Sequence, residues 1–479
     1  MCMKDVVIIG AGVTGAFIAR KLSRYNLDVT LLERETDVGN VTSNANSAII
    51  HSGYDPLPNT LKALLNVRGN KMFDQIADEL DVHFNRCGSI TVAINDEQLL
   101  TLKELEKRSK ENGVPTQILS AEELKKLEPN VNPEAKGGLL APTAGVIDPF
   151  NLVVHCVENA VDNGVELRLE TEVKDVKDLG DHFVIKTNKG DIEAKVVINA
   201  SGLYSDKIAS MVEEVDWKLI PRKGEYFVLD HYDLGLVNHT IFPLPTAKGK
   251  GVLVSMTSSN NYIVGPSSEP IDDVEDFSTD GLTLGQIRAQ ATDLIPSIPF
   301  NQVIRVFSGI RPTSTRHDFI IEPAKSNERF INVAGIESPG LVSAPAIAEY
   351  AFENYICKLF DNLKEKENYN PRVKKYHVLN DMTLEERNKT IKENEEFGKI
   401  ICSCEKISLG EIKELLSRSV PPHTVKGVKR RCRAGFGKCQ GGFCSPMVTL
   451  ILAKHYGVSP LDIKWDKDNS NILVEEVKR

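Results

Sequence analysis

Long hydrophobic runs are missing from this chain. No stretch approaches the roughly eighteen uninterrupted apolar residues of a membrane-spanning helix. The start, Met1 to Gly10, passes directly into an apolar strand pattern without a basic leader or a cleavage site, so the expected compartment is the cytoplasm. A basic excess is missing too: 58 Lys and Arg stand against 67 Asp and Glu, a net charge of −9. That balance excludes nucleic-acid binding as the role of the whole chain and leaves room only for a local basic patch. Internal repeats and low-complexity tracts are absent, and the composition excludes collagen-like, coiled-coil and generally disordered architectures. At 41% hydrophobic and 26% charged residues, the chain is globular in composition. Its 479 residues are the length of about three domains.

What is present begins with Asp5-Val6-Val7-Ile8-Ile9, a short apolar run of the kind that forms a buried parallel strand. Gly10-Ala11-Gly12-Val13-Thr14-Gly15 follows, then Phe17, Ile18 and Leu22 at helical spacing, then a second apolar strand from Val29 to Leu32. This is a βαβ unit of about thirty residues. Gly10 suits the tight turn, Gly12 lets the backbone approach a pyrophosphate, and Gly15 allows close helix-on-strand packing. The helix N-terminus offers N–H groups and positive dipole to phosphates. Glu33, eighteen residues after Gly15, is placed to bond a ribose hydroxyl and would repel a 2′-phosphate.

Small residues follow two further buried strands, at Asn199-Ala200-Ser201-Gly202 and Ala334-Gly335-Ile336-Glu337-Ser338-Pro339-Gly340, as a backbone wrapped round one large ligand requires. No second fingerprint of this kind exists, so one bound FAD, reduced by substrate and reoxidised elsewhere, is the simplest account. The stretch Glu166 to Thr187 reads as a hairpin or meander, and β-rich runs between about 217 and 320 suggest a second, mostly antiparallel domain. Residues 361–399 read as a charged, partly helical connector. Beyond them, 14 Lys and Arg against 8 Asp and Glu give residues 400–479 a charge of +6, leaving −15 before them, which marks a domain boundary near 400.

With Asn46 to Gly53, Gly145 to Pro149, Lys223-Gly224-Glu225-Tyr226, Ser308-Gly309-Ile310-Arg311-Pro312 and Ser338-Pro339-Gly340 added to the fingerprint, residues 4 to 356 resemble the D-amino-acid-oxidase superfamily of FAD-dependent oxidoreductases. Within it they are similar to the glycerol-3-phosphate dehydrogenase and L-2-hydroxyglutarate oxidase branch. The resemblance implies an α/β fold: a Rossmann-like FAD-binding domain (about 1–80, 145–215 and 325–360) with an inserted β-rich substrate domain (about 81–144 and 216–324). It implies FAD contacts from Gly10, Gly12, Val13, Thr14, Gly15, Glu33, Arg34, Ser43, Asn46, Ser47, Val173, Ala200, Gly202, Gly309, Gly335, Gly340 and Leu341. Gly340 and Leu341 would open a helix whose N–H groups face the flavin pyrimidine, where reduced flavin is anionic. His51 would lie beside the ring as a general base, a flavin contact or a hydrogen-bonded core histidine. Arg311 resembles the arginine that grips the anionic end of substrate, and Arg316 a second one. Gly335-Ile336-Glu337-Ser338 departs from the Gly-Gly-Lys-Leu of glycerophosphate dehydrogenases. The lost lysine keeps 2-hydroxy dicarboxylic acids in play as substrates.

Nine cysteines is an odd number, and in a reducing compartment clustered thiols point to metal or redox chemistry. Cys402-Ser403-Cys404 and Cys439-Gln440-Gly441-Gly442-Phe443-Cys444 supply four thiolates, suited to a [2Fe-2S] cluster or to zinc. The single-residue gap between Cys402 and Cys404 favours iron and sulfur. Arg433 to Gly441 resembles the bacterioferritin-associated-ferredoxin-type [2Fe-2S] domain, a small helical module. Lys426, Lys429, Arg430, Arg431, Arg433 and Lys438 would stabilise an anionic cluster, and without interleaved aromatics they do not read as a nucleic-acid patch. Cys2, Cys87, Cys156 and Cys357 read as small buried hydrophobes, and Cys432 as a bystander.

The expected protein is thus a flavin dehydrogenase for a small anionic hydroxy compound, foremost sn-glycerol 3-phosphate. Electrons would pass through [2Fe-2S] to a protein or quinone-linked acceptor, or to partner subunits that supply any membrane attachment. The other readings are an L-2-hydroxyglutarate dehydrogenase, an amine or imino-acid oxidoreductase, and a non-catalytic electron-transfer module.

Overall fold

A computed structural model describes residues 3–231, 235–245 and 251–476. Cys2 lies outside the described residues. The opening βαβ unit comprises β1 (Lys4–Ile9), α1 (Val13–Ser23) and β2 (Val29–Leu32). β1 is the centre of a mixed sheet of eight strands, pairing in parallel with β2 on one side and with Gly190–Asn199 on the other. Phe330–Ala334 adds in parallel to Gly190–Asn199, and Glu166–Arg168 to β2.

The apolar run in β1 has no polar alternation because both faces are covered. Val6 and Ile8 pack with α1 and with the helices Pro149–Asp162 and Gly340–Asn354, while Val7 and Ile9 face a second cluster with Phe183 and Trp217. The expected meander is present: Val173–Asp178 pairs antiparallel with Phe183–Thr187, which turns at Lys189 into Gly190–Asn199.

A second sheet of nine strands gathers Ser89–Ala93, Gln117–Ser120 and Gly137–Ala141 with strands from 219 to 314. Thr240–Phe242 lies parallel to Ser89–Ala93, so two distant stretches of chain close one domain. Its spine is the antiparallel pair Leu219–Leu229 and Val303–Ser314, which places Arg222 opposite Arg311. One strand departs from expectation. Ile320–Pro323 pairs with Phe330–Ala334 in the first sheet, because Ile320 and Ile321 bury their side chains against that core.

Residues 361–399 contain the helix Leu384–Glu393, closed by a Thr383 and Glu386 capping box. The connector is laid along the first domain by bonds from Arg20 to Pro371 O (2.9 Å) and from Asn159 to Asn370 O (2.9 Å). It delivers a small module of three helices, Leu409–Leu416, Val425–Cys432 and Ser445–Tyr456, with two short strands.

The module's positive charge is spent differently from the sequence expectation. Arg431 grips Asp37 with two bonds (2.7 and 2.9 Å), Arg430 adds a third at 2.9 Å, and all three residues are buried. Arg418 grips buried Glu158 in the same way, with Nε bonds of 2.8 and 2.9 Å. These cations bolt the module to the first domain. Burial acts to raise the Asp37 pKa, but Arg431 and then Arg430 outweigh it and hold the carboxyl well below the usual range. A depressed carboxyl contributes stability above its unfolded value, near pH 4, and loses it as pH falls toward the native value. Asp37→Ala strands two buried guanidiniums and is expected to cost about 3–5 kcal/mol. The check is urea unfolding with limited proteolysis of the connector; wild-type midpoints and protection would contradict it.

Candidate active site

The glycine loop is built as the chain implies. A Cβ on Gly15 would overlap the Gly10 carbonyl, and one on Gly10, whose φ is +102°, would press on Ala200 O. No side chain of its N-cap, Gly12, caps α1; the Val13 N–H is met by Ser43 Oγ at 2.9 Å. Gly15→Ala is therefore expected to yield chain without FAD, read as the flavin-to-protein ratio after purification. Full flavin occupancy would contradict this.

Glu33 is buried at the end of β2 and accepts N–H bonds from Ala11 (2.9 Å) and Glu35 (3.0 Å). Burial, working against those bonds, raises its pKa. Arg34 lies over the Tyr204 ring and pairs with Glu275 at 2.7 Å, linking the two sheets. Val173 starts its strand buried beside this end.

From Gly12 an open cavity of about 840 Å³ runs between the two sheets. Gly12, Val13, Thr14, Ser43, Asn46, Ser47, Ala200, Gly202, Gly309, Gly340 and Leu341 line it, as do His51 and Arg311. Gly10, Gly15, Glu33, Arg34, Val173 and Gly335 sit behind or beyond its wall. Gly309 lets its strand touch the Ala45 carbonyl, where a Cβ has no room. The helix Gly340–Asn354 also begins at the cavity with no side-chain cap, so two helix N-termini meet one space. Such a pair suits a dinucleotide's pyrophosphate and its anionic flavin edge. The residues present fit FAD.

The anion end is defined by two arginines. Arg222 and Arg311, cross-strand neighbours, both line the cavity. Like charges directly opposite repel, yet no carboxylate pairs with either among the described residues. Arg311 bonds Ser267 O (3.3 and 3.4 Å), and Arg222 bonds Ser268 Oγ and O (3.1 and 3.2 Å). Gly224 makes the space, since a Cβ there would meet the Arg311 guanidinium.

Arg316 stands elsewhere. It is paired with Asp216 and Glu322 and does not line the cavity. Glu337, where a lysine was looked for, is neutralised by Lys62 (2.7 Å) from α2 (Leu61–Glu79) and bonded by Thr313 (2.6 Å). His51 lies near the Phe242 ring, centroids 5.9 Å apart, and Asn66 and Asn70 hold its carbonyl at 2.7 and 3.0 Å. The sequence reading missed Arg222, Lys62 and Phe242. Only the register of the long-range pair Leu219–Leu229 and Val303–Ser314 could have singled out Arg222, which immediately precedes Lys223-Gly224-Glu225-Tyr226.

In the module, the four thiols fall into two pairs. Cys404 and Cys439 lie with sulfurs 3.7 Å apart, and Cys402 is bonded to Cys444. Two thiolates on one tetrahedral metal, with bonds of about 2.3 Å, stand about 3.8 Å apart. Cys402, Cys404, Cys439 and Cys444 are the thiolates that would hold a [2Fe-2S] cluster. The Cys402 thiol is pushed down to about 6, first by the Cys444 bond, against burial, and with the help of the Glu405 and Gly435 N–H groups. Cys402 and Cys444 are buried, Cys404 is exposed and Cys439 is half-buried, so the site has one outward edge. Cys432 is buried, its thiol bonded to Val428 O; Cys156 is buried, whereas Cys87 and Cys357 are only half-buried.

Comparison with known proteins agrees with this geometry. Residues 5–353 match the FAD dependent oxidoreductase family (DAO), and residues 400–454 the BFD-like [2Fe-2S] binding domain. A glycerol 3-phosphate dehydrogenase of Caloramator mitchellensis is 46% identical over 99% of each chain. An L-2-hydroxyglutarate dehydrogenase of Escherichia coli is 30% identical over 56% of this chain and 64% of its own. The dithionite-reduced, FAD-bound L-alpha-glycerophosphate oxidase of Mycoplasma pneumoniae superposes with a TM-score of 0.75 at 32% identity, over 79% of this chain and all of that one. No described helix is long and apolar enough to cross a membrane. The chain belongs to the DAO family of FAD-dependent oxidoreductases and carries a BFD-like [2Fe-2S] domain after its catalytic part.

Proposed function

We propose that this protein oxidises sn-glycerol 3-phosphate to dihydroxyacetone phosphate and passes the electrons through its [2Fe-2S] domain to a protein acceptor. The carrying observation is the Arg222–Arg311 pair. Two guanidiniums side by side, bonded among the described residues to neutral oxygens alone, suit one dianionic phosphate better than a single carboxylate. Bound FAD supplies the acceptor for the two electrons of the broken C–H bond. With the phosphate anchored on Arg222 and Arg311, the secondary carbinol would be held elsewhere in the same cavity, whose lining includes Ser47 and His51. His51, which lines the cavity and whose backbone carbonyl is held by the amides of Asn66 and Asn70, would take the hydroxyl proton.

A dicarboxylate would need a cation at each end; among the described residues Lys62 beyond the cavity wall is already neutralised by Glu337. The exposed Cys404 edge supports electron exit to a docked partner rather than to oxygen. The test is anaerobic titration of the holoenzyme with glycerol 3-phosphate and, separately, L-2-hydroxyglutarate. Flavin bleaching by the phosphate at micromolar to millimolar levels, the usual substrate range, is expected. Bleaching by the dicarboxylate alone would overturn the assignment, and rapid reoxidation by air with stoichiometric peroxide would overturn the acceptor.

A further inference from the structure

A second cavity, of about 770 Å³, lies where the first domain, the second sheet and the cysteine module meet. That is within the size range of small-molecule sites. Ala45, Asn46, Ser47 and Ala48 line both this cavity and the FAD cavity, so one backbone segment separates the two. The glycine loop does not reach the second space.

Its walls carry cations of two kinds. Lys426 pairs with Asp466 at 2.6 Å, and Arg430 with Asp37, although the Arg430 Nε is buried without a partner. Arg305 and Lys429 have no carboxylate among the described residues. Both lean on one neutral atom, Gln440 Oε1, at 3.4 and 3.1 Å. Lys429 is 2% exposed, and the Phe436 ring lies 4.7 Å from its ammonium. Asp466, the acid that acts on Arg305, is already bound to Lys426. Buried cations without counter-charge are unfavourable unless something anionic joins them. The remaining walls include the rings of Phe150 and Phe436, 5.5 Å apart, with Phe277 and Phe307. Rings of this kind pack against a planar group.

We propose that this cavity is a second ligand site, for a phosphate-bearing planar molecule of mononucleotide size, with its phosphate on Arg305, Lys429 and Arg430 and its ring among the phenylalanines. The site is independent of the substrate assignment. It lies between the flavin segment and the cluster domain, so its occupant would touch both.

The test uses holoenzyme with full FAD and cluster content. Small molecules released by denaturation are identified by mass spectrometry, with organic phosphate counted beyond the two phosphates of FAD. The same protein is titrated calorimetrically with AMP, adenosine and pyrophosphate. Expected is either about one further mononucleotide per chain or saturable AMP binding, with adenosine failing to bind. In an Arg305→Met, Lys429→Met double variant with normal flavin content, the bound amount or the affinity falls at least about tenfold. Should that variant misfold, Arg305→Gln alone reads the same contact at the half-buried rim. Absence of extra phosphate together with absence of AMP binding at millimolar levels would overturn the proposal. So would binding that the variants leave unchanged, or pyrophosphate binding as tightly as AMP.

Discussion

Arg311→Ala is expected to lower kcat/KM for glycerol 3-phosphate about 100- to 1,000-fold, the equivalent of about 3–4 kcal/mol for a charge-assisted contact to a desolvated phosphate. The loss divides between KM and kcat, because the arginine both binds the anion and fixes the carbinol's distance from the acceptor. Folding is not at stake. Among the described residues the guanidinium makes two long bonds, to Ser267 O, and has no carboxylate partner whose charge its removal would strand. Flavin content and the thermal transition should match wild type. Arg311→Lys recovers charge without the planar fork and should regain only part of the activity. Arg222→Ala should follow the same pattern, and Arg316→Ala should leave kcat/KM within about threefold, since its partners are Asp216 and Glu322 outside the cavity. Wild-type kcat/KM in Arg311→Ala would place the anion elsewhere.

Cys439→Ser is expected to separate the two halves of the reaction. Cys439 pairs with Cys404 on the outward edge, and removing one of four thiolates takes the cluster with it. Anaerobic bleaching of the flavin by substrate should proceed at close to the wild-type rate, because the FAD cavity is formed without the cysteines. Turnover with a one-electron protein acceptor should fall about 100-fold or more, while turnover with a small dye that reaches flavin directly should survive. Equal loss with both acceptors would mean that the module supports catalysis structurally. Equal retention would mean that electrons leave without it.

The parts of this site carried by short contiguous sequence were legible. The βαβ unit, its three glycines and Glu33 are local features, each fixed by a turn or a strand end within about thirty residues. The four cysteines were legible for the same reason, as two tight local pairs. The anion site was legible only in part: Ser308-Gly309-Ile310-Arg311-Pro312 pointed to Arg311, and nothing pointed to Arg222. Arg222 and Arg311 are brought together by the register of two strands from opposite ends of the second domain, and period-two patterning does not report which residues face each other across a ladder. The family resemblance offered Arg316 as the second arginine, but the Thr315–Asp318 turn carries it outward to Asp216. Composition likewise misdirected the basic stretch before Cys439. Its charge reads as cluster support, yet Arg430 and Arg431 are committed to Asp37, some four hundred residues earlier in the chain.

The central claim is that one chain connects an anionic alcohol, through flavin, to an iron-sulfur exit. Its most direct test is electron paramagnetic resonance of the holoenzyme, mixed anaerobically with glycerol 3-phosphate and frozen, beside a dithionite-reduced control. The account predicts a reduced-cluster signal that appears with flavin bleaching, approaches the dithionite control, and is absent from Arg311→Ala at the same substrate concentration. Flavin that bleaches while a dithionite-reducible cluster stays oxidised would contradict it.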